Sequence, residues 1–220
     1  MMKVETFSYR FAKEILTHPE HVHIYNEIIK ICENCPIPVY KGKSIKQKKL
    51  DIVQQFLNTY FRIQFSGLKW EEEPLATPKN FQDELRGDFR KEFIFPDGKS
   101  VVVQVEVEFG NVASSYRDYF KFQLSFAYDM ADICILIVPM DKLAKRIDSG
   151  VSNFEKTKKE IPSAKLSITV PILVIGLDTS NEPEWDLKSI EPDINVLRNK
   201  SALIRGKHYK LVRDYIDTLK

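Results

Sequence analysis

The chain has 220 residues, 43% hydrophobic and 29% charged, with 33 Lys and Arg against 31 Asp and Glu for a formal charge of +2. That balance excludes wholesale disorder, a collagen-like chain and a disulfide scaffold, and it is not the strongly basic balance of a non-specific nucleic-acid coat. The longest apolar run, Ile133–Pro139, falls far short of the ~18 residues a membrane span needs, and the N-terminal MMKVETFSYRF has no apolar core of a signal peptide. Three cysteines, an odd number, fit a reducing compartment, so one cytoplasmic domain over 1–220 with no membrane contact is expected.

Residues 5–35 read as helical, with Phe11, Ile15, Ile24, Ile28 and Ile31 near the helical period, an interruption at Pro19 and a stop at Pro36-Ile37-Pro38. Cys32 and Cys35 form a CxxC near His18, His21 and His23, but no second pair completes a four-ligand zinc site, and a helix end is the reading. Lys41, Lys43, Lys46, Lys48 and Lys49 follow as a solvated loop, with a phosphate-contacting loop as the sharper alternative. Leu50, Val53, Phe56, Leu57 and Tyr60 then make one apolar helix face. Residues 69–87 are polar and poorly periodic.

Two strands, Lys91–Phe95 and Val101–Phe109, flank the turn signal Pro96-Asp97-Gly98 and form a hairpin. Ala113–Met130 reads as a helix with Tyr116, Tyr119, Phe120, Leu124 and Ala127 on a stripe. Asp132–Pro139 and Val170–Leu177 are wholly apolar strands of the kind covered on both faces, with a helix beginning at Asp141–Arg146 between them. Residues 164–168 are ambiguous, 178–200 look loop-like, and Ser201–Lys220 is a final helix. This order describes an α/β fold with a central mixed β-sheet flanked by helices. The eight glycines form neither GxGxxG nor GxxxxGK[ST], so no phosphate loop of a nucleotide enzyme is present.

The chemistry lies in RGDFRKEFIFPDGKSVVVQVEVEFG, residues 86–110. Glu106 and Glu108 are two apart on a strand and share a face. Folding the hairpin brings Asp88 back towards them. Three gathered carboxylates repel one another unless a positive charge sits between them, and a hard divalent cation suits that place. On pattern alone, Gln104, Glu106 and Glu108 serve equally well as the solvent face of an amphipathic strand.

Asp88 followed by Glu106-Val107-Glu108 resembles the D…ExE variant of the PD-(D/E)xK nuclease motif. With GDFRKEFI, VEVEFGNVASSYR, ICILIVPMDKLAKRI and GVSNFE in order, residues 86–177 resemble the type II restriction endonucleases of the BamHI, BglII and BstYI branch. The resemblance implies a restriction-endonuclease-like fold with its catalytic core at about 69–178. It also implies a homodimer that hydrolyses double-stranded DNA at a palindrome and leaves four-base 5′ overhangs. The implied cofactor is Mg²⁺, for which Mn²⁺ substitutes. Asp88, Glu106 and the Val107 carbonyl correspond to metal ligands, and Glu108 to the residue that orients or deprotonates the attacking water. An auxiliary acid corresponds to Glu72, with Glu71 and Glu73 as alternatives. DNA contacts correspond to Asn111, Ala113, Ser114, Ser115 and Arg117, and to Ser149, Gly150, Ser152 and Asn153. Ser149-Gly150 departs from the Asp-Arg of part of the branch, which leaves a GATC core with unassigned outer pairs. A companion methyltransferase is implied genetically. The alternatives are a repair or resolvase-type nuclease of the same fold, or a DNA-binding protein that has lost cleavage.

Overall fold

The computed structural model describes residues 2–79, 85–164, 167–179, 183–198 and 202–218, the last span without the side chains of 202–205 and 208. In chain order the elements are β1 (Lys3–Tyr9), α1 (Ala12–Leu16), α2 (Val22–Glu33), β2 (Pro38–Val39), α3 (Gln54–Gly67), β3 (Glu71–Glu72), β4 (Phe89–Ile94), β5 (Ser100–Val107), α4 (Val112–Ala127), β6 (Ile133–Pro139), α5 (Asp141–Ile147), α6 (Phe154–Ser163), β7 (Ile172–Asp178), β8 (Trp185–Asp186), α7 (Leu187–Ile190), α8 (Ile194–Arg198) and α9 (Ala202–Asp217).

Six strands form a mixed sheet in the order β1-β7-β6-β5-β4-β3. The run β5, β6, β7 is parallel, and β1, β4 and β3 join antiparallel. Every residue of β6 and β7 is buried, as continuous apolar runs require when helices cover both faces. Alternation then sorts them. Ile133, Ile135, Ile137, Leu173, Ile175 and Leu177 face a core with α2, α3 and α5. Cys134, Leu136, Val138, Ile172 and Val174 face a second core with Tyr119 and Phe122 of α4 and Phe154 and Ile161 of α6.

Residues 5–9 depart from the helical reading of 5–35: they belong to Lys3–Tyr9, an edge strand paired along its length with β7, from Lys3 opposite Asp178 to Tyr9 opposite Ile172. Val4, Thr6, Phe7 and Tyr9 favour a pleated surface. Phe11, counted on the helical stripe, sits in the left-handed region (φ 61°) before α1 and is 75% exposed. Cys32 lies in the last turn of α2 and Cys35 just beyond it, both buried and unpaired in the first core. The 178–200 stretch contains β8, which pairs with β2, and the short helices α7 and α8. Residues 165 and 166 of the ambiguous stretch, and 201, 219 and 220 of the final helix, lie outside the described residues.

Phe65 of α3 is fully buried, stacks on Phe89 at 4.7 Å and meets Trp70 at 5.0 Å between ring centroids. This ties α3 to the start of β4, one residue after Asp88. Phe65→Ala is expected to cost about 3–5 kcal/mol, the range for emptying a buried aromatic site. Urea unfolding of parent and variant measures it, and a loss under 1 kcal/mol would contradict this packing role.

Candidate active site

Val103 and Val105 of β5 point into the first core, so Gln104 and Glu106 point to the opposite face, beneath α4. They do not form a solvent face: Gln104 is fully buried, Glu106 is 1% exposed and Glu108 9%. The reason lies on α4. Its inner side carries buried Ser115, Asp118, Lys121 and Ser125, a polar stripe at three- and four-residue spacing that meets the polar stripe of the strand.

A continuous polar network fills the contact. Arg90 of β4 donates to Gln104 Oε1 (2.7 Å), to Ser125 Oγ (3.1 Å) and to the Leu75 carbonyl (2.9 Å). Gln104 Nε2 donates to Glu106 Oε1 (3.2 Å). Lys121 Nζ donates to Glu106 Oε2 and pairs with Asp118 Oδ1 at 2.8 Å, with its side chain only 10% exposed. Neither Asp118 nor Lys121 was read from the sequence as part of the site. The available signal was a charged pair three apart, in register with Ser115 and Ser125, on a helix otherwise read by its aromatics.

Asp88 stands just before β4, across the hairpin from the end of β5, and its Oδ2 accepts the Val107 N–H at 2.7 Å. Glu108 Oε1 accepts the Gly110 N–H. Two glycines let the backbone close around these acids. A Cβ at Gly87 would lie 2.8 Å from Glu106 Oε1, and one at Gly110 would lie 2.7 Å from Glu108 Oε1. Burial raises the Asp88 carboxyl above its usual range. Burial, then the neighbouring Asp88 charge, raises Glu106 well above its own, against the pull of Lys121. Burial and Asp118 push Glu108 up to about 7. In all three the largest cause is burial, which disfavours the charged carboxylate.

A cleft of about 190 Å³ is lined by Asp88, Val107, Glu108, Ser114, Arg117, Asp118 and Lys121. A second, about 170 Å³, shares Asp88 and Val107 and is lined also by Glu72, Glu73 and Arg62. Glu72 and Glu73 therefore open onto the same place as Asp88, whereas Glu71 lines a different cleft with Arg90 and Lys91. Glu72 is held by Arg62 Nε at 2.6 Å and by the Ser66 hydroxyl.

The two expected DNA-reading segments meet. Val112 N–H donates to the Gly150 carbonyl (3.0 Å), Ser152 N–H to the Gly110 carbonyl (3.1 Å), and Asn111 bridges Val151. Asn111, Ala113, Arg117, Ser149 and Gly150 are exposed, while Ser114 and Asn153 are half-buried. Asn111 caps α4 by accepting the Ala113 N–H (3.0 Å), and Asn153 caps α6 by accepting the Lys156 N–H (2.9 Å). Ser115 and Ser152 are placed beneath this surface, both fully buried, with hydroxyls that have no hydrogen-bond partner among the described residues.

The donor set, carboxylate oxygens around a cleft, is that of a hard divalent cation. Among the described residues, no three acidic, imidazole or thiol side chains already close on one point. The Lys121 ammonium instead occupies the position between Glu106 and Asp118.

A model of the restriction endonuclease BglII/BglIII family matches residues 4–177, and the chain belongs to that family. Over 91 residues it is 31% identical to the type II restriction enzyme BamHI of Bacillus amyloliquefaciens, a stretch that is 41% of this chain and 41% of BamHI. The chain therefore spans under half of that relative's length in the match. The crystal structure of BglII complexed with a DNA 16-mer superposes with a TM-score of 0.67 at 20% identity, covering 83% of this chain and 81% of that one. Free BglII gives 0.55 at 17% identity, covering 83% and 82%. At these identities the likeness establishes the fold, a restriction-endonuclease core.

Lys121→Met removes the ammonium and leaves two buried carboxylates facing each other. It is expected to cost about 3–5 kcal/mol near neutral pH in the presence of a chelator. Added Mg²⁺ should restore part of the loss. Denaturation with and without the cation measures both, and a neutral effect in chelator would show that Lys121 does not neutralise the cluster.

Proposed function

We propose that this protein is a type II restriction endonuclease that hydrolyses phosphodiester bonds of double-stranded DNA at a palindrome with a GATC core, leaving four-base 5′ overhangs. The observation that carries this reading is the convergence of Asp88, Glu106, Glu108 and Lys121 against the inner side of α4, whose Ser114 and Arg117 line the cleft that Asp88 and Glu108 open onto. Arg117 and Lys121 line that cleft, so a phosphate strand would pass beside these two cations.

Asp88, Glu106 and the Val107 carbonyl would hold Mg²⁺, with Glu72 in the adjoining cleft as auxiliary acid. The bound cation supplies Lewis-acid charge stabilisation and an acidified water. Glu108, which opens onto the same cleft, would orient or deprotonate the attacking water. Lys121 keeps Glu106 and Asp118 in place and adds positive charge beside the phosphate. Arg117 reads a guanine edge, and Asn111, Ala113, Ser114, Ser149, Gly150 and Asn153 line the rest of the reading surface.

Tyr116 and Phe120 of α4 are 53% and 56% exposed, which supports a two-fold dimer packed on this helix. A dimer would match a palindrome, with one site cutting each strand. A methyltransferase protecting host DNA completes the reading. No helix among the described residues is long and apolar enough to cross a membrane.

Asp88→Asn and Glu106→Gln are expected to keep specific DNA binding and lose cutting by at least a thousandfold, on the order expected when transition-state charge stabilisation is removed. Gel shift beside digestion measures the two, and full cutting by both variants would remove the proposed site. Arg117→Ala is expected to weaken cognate binding by about 1–3 kcal/mol while leaving random DNA nearly unchanged. Equal losses on both would make Arg117 a phosphate contact.

A further inference from the structure

The lysine run at 41–49 plays no part in the site described above. KGKSIKQKK has five lysines and no acid in nine residues. Four of them, Lys41, Lys46, Lys48 and Lys49, are exposed and make no ion pair among the described residues. A loop that only needed solvation would repel itself and stay untethered. This one is pinned at its base.

The fifth lysine, Lys43, turns inward and donates to the Ile52 carbonyl and to the Ile147 carbonyl (2.7 Å). The Arg146 guanidinium grips Asp51 through two hydrogen bonds, 2.8 and 2.9 Å. The Arg146 carbonyl accepts from both Asp51 N–H (3.0 Å) and Ile52 N–H (3.1 Å), and Arg198 donates to the Lys43 carbonyl (3.2 Å). Apart from the Lys43–Ile52 and Arg198–Lys43 bonds, these pins lead to the end of α5, directly before Asp148-Ser149-Gly150. Gln47, Lys49 and Leu50 share a cleft of about 280 Å³ with Asp148, Ser149, Gly150 and Asn153. The 148–153 segment is bonded in turn to the start of α4. Basic loop, second reading segment, α4 start and catalytic cleft therefore form one connected tract.

We propose that the 41–49 loop is a backbone clamp for duplex DNA, in which Lys46, Lys48 and Lys49 meet phosphates flanking the bases that the 111–117 and 148–153 segments read. The inference rests on the proposed reading of the chain as a DNA-cutting enzyme and adds where the duplex is held. Orienting cations before DNA arrives removes part of the ordering cost of binding. Their contacts carry no sequence information and strengthen all sequences alike.

The test measures affinity against salt by fluorescence anisotropy, with a random-sequence duplex of about 30 bp and Ca²⁺ or chelator in place of Mg²⁺, for the parent and for the combined variant Lys46→Gln, Lys48→Gln, Lys49→Gln. Each phosphate contact contributes about 0.9 to the slope of log affinity against log salt, so the variant is expected to lose about 2–3 from that slope and bind at least tenfold more weakly at about 0.1 M salt. Lys210→Gln with Arg213→Gln, on exposed positions of α9, controls for charge alone and is expected to leave the slope within about one contact of the parent. Thermal melts of all three proteins should coincide within a few degrees. A steep parent slope that the loop variant reproduces, or an equal fall in the α9 control, overturns the clamp and leaves the restriction reading standing. A parent that binds no duplex at any salt overturns the restriction reading, and the clamp with it.

Discussion

Glu106 sits at the centre of a sheet, 1% exposed, in a layer that in most folds of this architecture is aliphatic. An isolated carboxylate there would cost several kcal/mol and would protonate rather than stay charged. The surroundings are arranged around that cost. Lys121 descends from α4 to meet it, Gln104 donates from the same strand, and Arg90 occupies the acceptors of Gln104 and Ser125 behind it. The crossover from β5 through α4 to β6 is what lays the helix over this patch, and the aromatic stripe of the same helix, through Tyr119 and Phe122, fastens it to the second core. Breaking the ion cluster would therefore leave the acid uncompensated beneath the middle of α4.

The same arrangement explains why the site lies where the parallel strands end. Asp88 reaches Val107 because the hairpin register pairs Phe89 with Val105, and Phe89 is held by Phe65 from below. The carboxylates at 88, 106 and 108 then gather between the hairpin and the inner side of α4, where Arg117 and Lys121 line the same cleft. Fold and chemistry share one set of contacts, and the blocks that carry the family resemblance lie within residues 86–177.

Much of this was legible in the residues because local patterns coincided with the tertiary answer. The Pro96-Asp97-Gly98 turn signal marked the hairpin, the apolar runs at 132–139 and 170–177 marked buried strands, and Glu106 and Glu108, two apart on the second hairpin strand as read over 101–109, were expected to share a face. What could not be read had long-range causes. Lys3–Tyr9 is a strand only because β7 offers it an edge 160 residues or more away in sequence. Pro38–Val39 and Trp185–Asp186 pair through two residues each, too few for a pattern. Ser115 and Ser152 look like surface serines until α4 packs on the sheet. Asp118 and Lys121 look like an ordinary surface pair until the acid on β5 is placed beneath them.

The measurement closest to the central claim is digestion of long, unmethylated DNA with Mg²⁺ followed by sequencing of the ends. The account predicts discrete fragments whose ends all carry one palindrome containing GATC, with four-base 5′ overhangs. Random ends, or no cutting with either Mg²⁺ or Mn²⁺, would contradict it.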